Sequence, residues 1–197
     1  HVVTTIDIRD KEFGQLVDIT LDGEKIDKTY RLKVLPEKVV FNNQQWAIPK
    51  QNSIYYSPDY LEIQDFKFSW EHTSFQLASH PTDKTDFLSI AFNQIALNKL
   101  IAFLNPDTPI ASGTMNGTIT LADLFSKPIL GANLNIQHLE ALDIVLGDLD
   151  AQIANNEASV YKGEVKIIGP DLDVSLDGTY DLSQEGKASY TGTMNLN

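Results

Sequence analysis

The chain of 197 residues contains no cysteine. That excludes a disulfide framework and a thiolate metal site together, and it fits an extracytoplasmic protein built without bridges. Basic residues are scarce as well: 15 Lys and Arg stand against 27 Asp and Glu, a net charge of −12. Nucleic acid and anionic membrane surfaces need a basic footprint, so neither is expected as the main partner. No apolar run approaches the roughly 18 to 20 residues that span a bilayer, and no signal peptide is present. The chain starts at His1 without a methionine and its last residues, Tyr190–Asn197, are strand-like. It therefore reads as a fragment of a longer protein, with any anchor or export signal outside it.

Catalytic signatures are missing too. There is no G-x-S-x-G, no P-loop and no G-x-G-x-x-G. His1, His72, His80 and His138 show no metal-ligand spacing such as H-x-x-x-H, and structural or surface roles are expected for them. The run Asp171–Gly178 has the acidic spacing of a calcium loop, but apolar residues fill its alternate positions, as on a solvated strand face. A pair of glycosidase carboxylates would have no flanking clue in so acidic a background. The chain is expected to be no enzyme, with no cofactor and no metal.

What the chain has in abundance is repetition. Gly113-Thr-Met-Asn-Gly117 leads into Thr-Ile-Thr-Leu, and Gly192-Thr-Met-Asn-Leu-Asn closes the chain on the same phrase. Such self-similarity points to similar strands laid side by side. Apolar and polar residues alternate in Val17, Ile19, Leu21 and in Tyr30, Leu32, Val34, with Asp22-Gly23 read as a turn. Pro36, Asn42-Asn43, Pro49 and Pro58 punctuate the next stretch. Between Leu61, Ile63 and Phe66, Phe68, Trp70 the phase slips by one residue, which predicts a bulge or tight bend. After Pro109 the alternation is cleanest, with turns read at Asn155-Asn156, Gly169-Pro170 and Asp177-Gly178. Leu97, Leu100, Ile101 and Leu104 fall at helical spacing, so one short amphipathic helix is expected near 95–104, with Asn98 as its cap and Asn105-Pro106 as its stop. A further turn is expected around Ala122–Phe125. The reading is all-β with about a dozen strands, in one β-rich domain with 105–110 as the candidate sub-boundary.

Strict alternation gives each strand one apolar and one wet face. A large apolar sheet face is not left in water, so it packs on a second sheet, closes into a barrel, or curls over and shelters something apolar. Periodicity alone does not choose among these. Trp46, Tyr55, Tyr56, Tyr60, Phe66, Phe68 and Trp70 crowd into residues 46–70. They form either a soft contact surface or ordinary core filling, with core filling favoured.

The segment Ile110–Leu139, with its glycine pair, alternating strand and Lys127-Pro128-Ile-Leu-Gly131-Ala-Asn-Leu-Asn-Ile136-Gln-His-Leu139, runs on into Leu142-Asp-Ile-Val-Leu-Gly147-Asp-Leu-Asp-Ala151. This cadence resembles the C-terminal conserved domain of the TamB-like translocation and assembly module family of the AsmA superfamily. Trp46-Ala-Ile-Pro49, Asn52-Ser-Ile-Tyr-Tyr56 and Phe66-Lys-Phe-Ser-Trp70 are similar to the form associated with Bacteroidota-type members, so the resemblance covers residues 12–197. It implies a mostly antiparallel sheet curled into an apolar trough, a "β-taco", roughly 50 to 60 Å long for a dozen strands at about 4.8 Å. It also implies a periplasmic, envelope-spanning protein anchored in the inner membrane. Such a protein conducts phospholipid toward the outer membrane, or assists outer-membrane protein assembly with a barrel partner or a nascent β-strand. On this reading the expected lining residues are Leu121, Leu134, Ile136, Leu146, Ile153, Ile167, Val174 and Met194. The alternative is a closed β-sandwich or solenoid module that binds carbohydrate or a protein partner; an envelope scaffold without a ligand is the third.

Overall fold

The structure, a computed structural model, describes residues 1–11, 14–81, 86–104, 110–126, 129–157, 160–181 and 187–196, with the backbone alone at 80–81, 86, 102–104, 156–157 and 187–196. The chain is all-β, with two antiparallel sheets and one short helix, and neither sheet closes on itself among the described residues. Two compact units divide it, His1–Ile90 and Ala91–Asn197. The candidate sub-boundary at 105–110 falls mostly outside the described residues.

The first unit begins with β1 (Val2–Asp10), β2 (Gly14–Ile26) and β3 (Thr29–Phe41), followed by the two-residue β4 (Gln44–Gln45), β5 (Ser53–Ser57) and β6 (Tyr60–Gln64). These form a six-stranded sheet in the order β1-β2-β3-β5-β6, with β4 beside β3. The hairpin of β7 (Phe66–Trp70) and β8 (Thr73–Pro81) starts the second sheet. Its aromatic residues lie in one core with the first sheet: Val34, Val39, Ile48, Ile63, Phe66 and Phe68 are all buried. Phe68 meets Phe41 and Phe66 edge to face, at ring-centroid distances of 5.5 and 5.4 Å, a favoured arrangement for aromatic pairs. Core filling is thus what Trp46, Phe66 and Phe68 do, whereas Tyr56 stays exposed. The phase slip after Ile63 is a tight bend: Asp65 adopts a φ of 48°, and the chain leaves one sheet for the other.

The second sheet continues through β9 (Asp86–Ala96), β10 (Ala111–Ala122), β11 (Ile129–Ala141), β12 (Ile144–Glu157), β13 (Val160–Ile168), β14 (Leu172–Asp181) and β15 (Lys187–Leu196), every strand beside its sequence neighbour. The helix α1 (Leu97–Leu104) follows β9. Asn98 stands inside its first turn, where its Oδ1 accepts the backbone amide of Lys99 at 2.9 Å. The expected stop at Asn105-Pro106 lies outside the described residues. The expected turn near Ala122–Phe125 is present, closed by Ser126 N donating to the Asp123 carbonyl at 3.0 Å.

Three expected turns are not turns. Asp22-Gly23 lies inside β2, Asn155 inside β12 and Asp177-Gly178 inside β14. At two of them cross-strand pairing on both sides overrides the local turn preference: Gly23 faces Val2 and Leu32, and Gly178 faces Gly163 and Tyr190. Asn155 pairs with Tyr161 on one side and accepts the Leu130 amide through its side chain on the other. The hairpin of β2 and β3 instead closes at Asp27-Lys28, between the paired Ile26 and Thr29. Pro36 sits within β3, in the bulge between the partners of Ile19 and Leu21, a place where proline breaks no ladder bond.

Candidate functional site

Register sorts the side chains of the second unit. Met115, Ile136, Leu149, Ile167, Val174 and Met194 are successive cross-strand partners from β10 to β15. Two residues along, the next row is Gly117, Leu134, Ala151, Val165, Leu176 and Gly192. A third row holds Ile119, Ala132, Ile153, Gly163 and Gly178. Because side chains alternate and directly paired residues point the same way, these three rows share one face of the sheet. These three rows are apolar; in the row beyond them the buried Asn155 accepts the Leu130 amide.

Of the expected lining residues, Leu134, Ile136, Ile153, Ile167 and Val174 stand in these rows, and Leu121 extends the same face beside Leu130. Met194 takes its register place opposite Val174; its side chain lies outside those described. Leu146 is different. Leu139 pairs with Gly147 and Glu140 with Val145, so Leu146 occupies the extra position of a β-bulge and has no place in the alternation. The bulge depends on Gly147, whose φ is +100° and where an added Cβ would stand 2.1 Å from the carbonyl oxygen of Ile168. Across the bulge His138, at φ 52°, donates its backbone amide to Asp148 Oδ1 at 2.8 Å. The expected lining left out Met115, Leu149, Val165 and Leu176, although alternation within their strands puts Leu149 on the face of Ile153, Val165 on that of Ile167 and Leu176 on that of Val174.

Among the described residues the apolar face is less buried than the first unit's core, and α1 lies against β10. The buried hydrophobic residues described between Ala91 and Asp181 are Met115 and Leu139 alone. Leu121, Leu134, Ile136, Ile167 and Val174 are half-buried, while Ile153 is 38% and Leu176 45% exposed. In the first unit, by contrast, Val39 is 0% exposed.

The opposite face is polar. One row reads Thr120, Gly131, Ala154, Lys162, Thr179, and the next Thr118, Asn133, Gln152, Glu164, Asp177. These two rows, with the backbone between them, line a concavity of about 760 Å³. Gly131 opens its floor, since a Cβ there would meet Thr120 Oγ1 at 2.6 Å. A third polar row contains Asn135, whose Nδ2 donates to Asp150 Oδ1 at 2.9 Å, and Lys166, which is ion-paired to Glu164. That carboxylate accepts a hydrogen bond from the Lys166 ammonium and raises its pKa above the ordinary lysine value. The signal for this concavity was in the sequence as small residues, Gly131 and Ala154, at positions where alternation calls for polar side chains.

No group of three or more His, Asp or Glu among the described residues is arranged to hold a metal ion. No helix among them is long and apolar enough to cross a membrane. No protein-family model matches the chain, and neither does any curated protein or any solved structure.

Proposed function

We propose that the chain is a non-catalytic envelope module whose second unit carries phospholipid acyl chains on its apolar face, or shields an unfolded β-strand there. The observation that carries this reading is the part-exposed apolar face: five strands with described side chains, β10 to β14, present in-register aliphatic rows that are not fully buried. Each methylene of an acyl chain moved from water onto such a surface gains up to about 0.8 kcal/mol. Movement along the wall needs no reaction, because successive rows offer nearly equal sites, and the glycines and alanines of those rows keep the wall low.

The resemblance to TamB-like proteins supplies the setting. The module belongs to a periplasmic protein anchored in the inner membrane outside this chain, delivering phospholipid toward the outer membrane or working with an outer-membrane barrel. Solvent extraction of the purified chain followed by mass spectrometry tests the reading. Recovered phospholipid in stoichiometric amount supports it; a lipid-free extract from protein purified without detergent contradicts it.

A further inference from the structure

We infer that the polar concavity on the other side of the sheet is a second binding site, for a neutral, hydroxyl-rich ligand of the oligosaccharide class. This goes beyond the reading of the apolar face and does not rest on it. The two sites lie on opposite sides of one sheet, so one amphiphile does not fill both.

The chemistry of the lining selects the ligand. Thr118, Thr120 and Thr179 offer hydroxyls, and Asn133 and Gln152 offer carboxamides. All five can both donate and accept, which matches a sugar hydroxyl that also does both. Lys166 is paired to Glu164, and Lys162 stands against Asp177, so the charges balance and a polyanion meets no net basic cradle. A cation meets the Lys162 ammonium, which makes no ion pair among the described residues. An acyl chain finds no alkyl side chain larger than Ala154 in the two floor rows.

An extended peptide is disfavoured for a different reason. The strands β10 to β14 each have a neighbour on both sides, so their backbone N–H and C=O groups are committed to ladder bonds. Strand addition, the usual peptide mode, needs a free edge. The floor spans five strands, about 19 Å at ~4.8 Å spacing, and two rows about 7 Å apart. That is a long, narrow slot suited to a linear chain of sugar rings. No aromatic side chain lines it, so hydrogen bonds alone hold the ligand and binding is weak and readily reversible.

Nuclear magnetic resonance titration of the isotope-labelled chain with cellotetraose, maltotetraose and chitotetraose, each to millimolar concentration, tests the inference. At least one of the three should give saturable amide shifts confined to residues 118–120, 131–133, 152–154, 162–164 and 177–179. Ala154→Trp, which fills the floor with a residue that strands accommodate, should abolish those shifts while the circular dichroism spectrum is unchanged. Gln152→Ala and Asp177→Asn, at exposed positions, should each weaken binding severalfold, and they decide the matter if Ala154→Trp alters the spectrum. No saturable shift with any of the three sugars overturns the inference. So does a response to tripolyphosphate or to an unstructured peptide at the same residues, or binding that survives all three substitutions. Loss of this site leaves phospholipid recovery unaffected, so the two proposals fail separately.

Discussion

The side chain of Asn52 replaces a missing strand partner for Val34. Its Oδ1 accepts the Val34 amide at 2.8 Å, and its Nδ2 donates to the Val34 carbonyl at 2.8 Å and to the Pro49 carbonyl at 2.6 Å. Asn52 is 0% exposed, so no water stands in for it. Asn52→Ala leaves the Val34 amide and carbonyl without this partner, while the Pro49 carbonyl keeps the backbone amide of residue 52, and should destabilise the chain by ~2 to 4 kcal/mol, read as a lowered urea midpoint. Asn52→Asp keeps only the accepting oxygen and should not restore the loss.

The two units should respond differently to the loss of apolar side chains. Phe68→Ala or Val39→Ala removes packing from a covered core and should cost ~2 to 5 kcal/mol. Leu134→Ala and Val174→Ala remove half-buried groups, so each should cost less than ~1.5 kcal/mol. Equal losses at Leu134 and Phe68 in urea titrations would show that something covers the apolar face.

Gly147→Ala and Gly163→Ala form a matched pair. At Gly147 the backbone is left-handed and an added Cβ runs into the Ile168 carbonyl, whereas at Gly163 the nearest atoms are 3.8 Å away. The first should cost ~1 to 3 kcal/mol or more, and the second should be near neutral in the same thermal or urea experiment.

Tyr60 donates its hydroxyl to Glu62, and Gln64 donates a second hydrogen bond to the same carboxylate. The bond from Tyr60, with that from Gln64 behind it, holds the Glu62 carboxyl below its ordinary value of 4.5. The same bond raises the Tyr60 hydroxyl above its ordinary 10.0. A depressed carboxyl contributes stability above its unfolded pKa and loses it as pH falls through the folded one. A raised phenol contributes below its unfolded pKa and loses it as pH rises through the folded one. The pair should therefore support the fold between about pH 4.5 and 10, and Tyr60→Phe should flatten both shoulders of a stability–pH profile.

Strand content and the single helix were legible because alternation and helical spacing are local signals: Leu97, Leu100, Ile101 and Leu104 suffice to mark α1. Turn positions were less so. Asp22-Gly23 and Asp177-Gly178 carry a hairpin signature, yet partners on both sides extend the strand through them. The apolar face was legible for Leu134, Ile136 and Val174 because each strand there alternates without interruption. It failed at Leu146, where one inserted residue ends the alternation and only a positive-φ glycine betrays it. The concavity on the polar face was not read, although the small residues Gly131 and Ala154 mark its floor, because only pairing register brings them side by side.

On the proposed function, lipid runs along the apolar face and not the polar one. A photo-crosslinking amino acid at Leu134, at Val174 and at Asn135 tests it most directly, because Asn135 stands on the opposite face and bonds Asp150 there. After irradiation with phospholipid vesicles, mass spectrometry should find phospholipid adducts at Leu134 and Val174 and none at Asn135. Adducts at Asn135 alone, or at none of the three positions, would contradict the account.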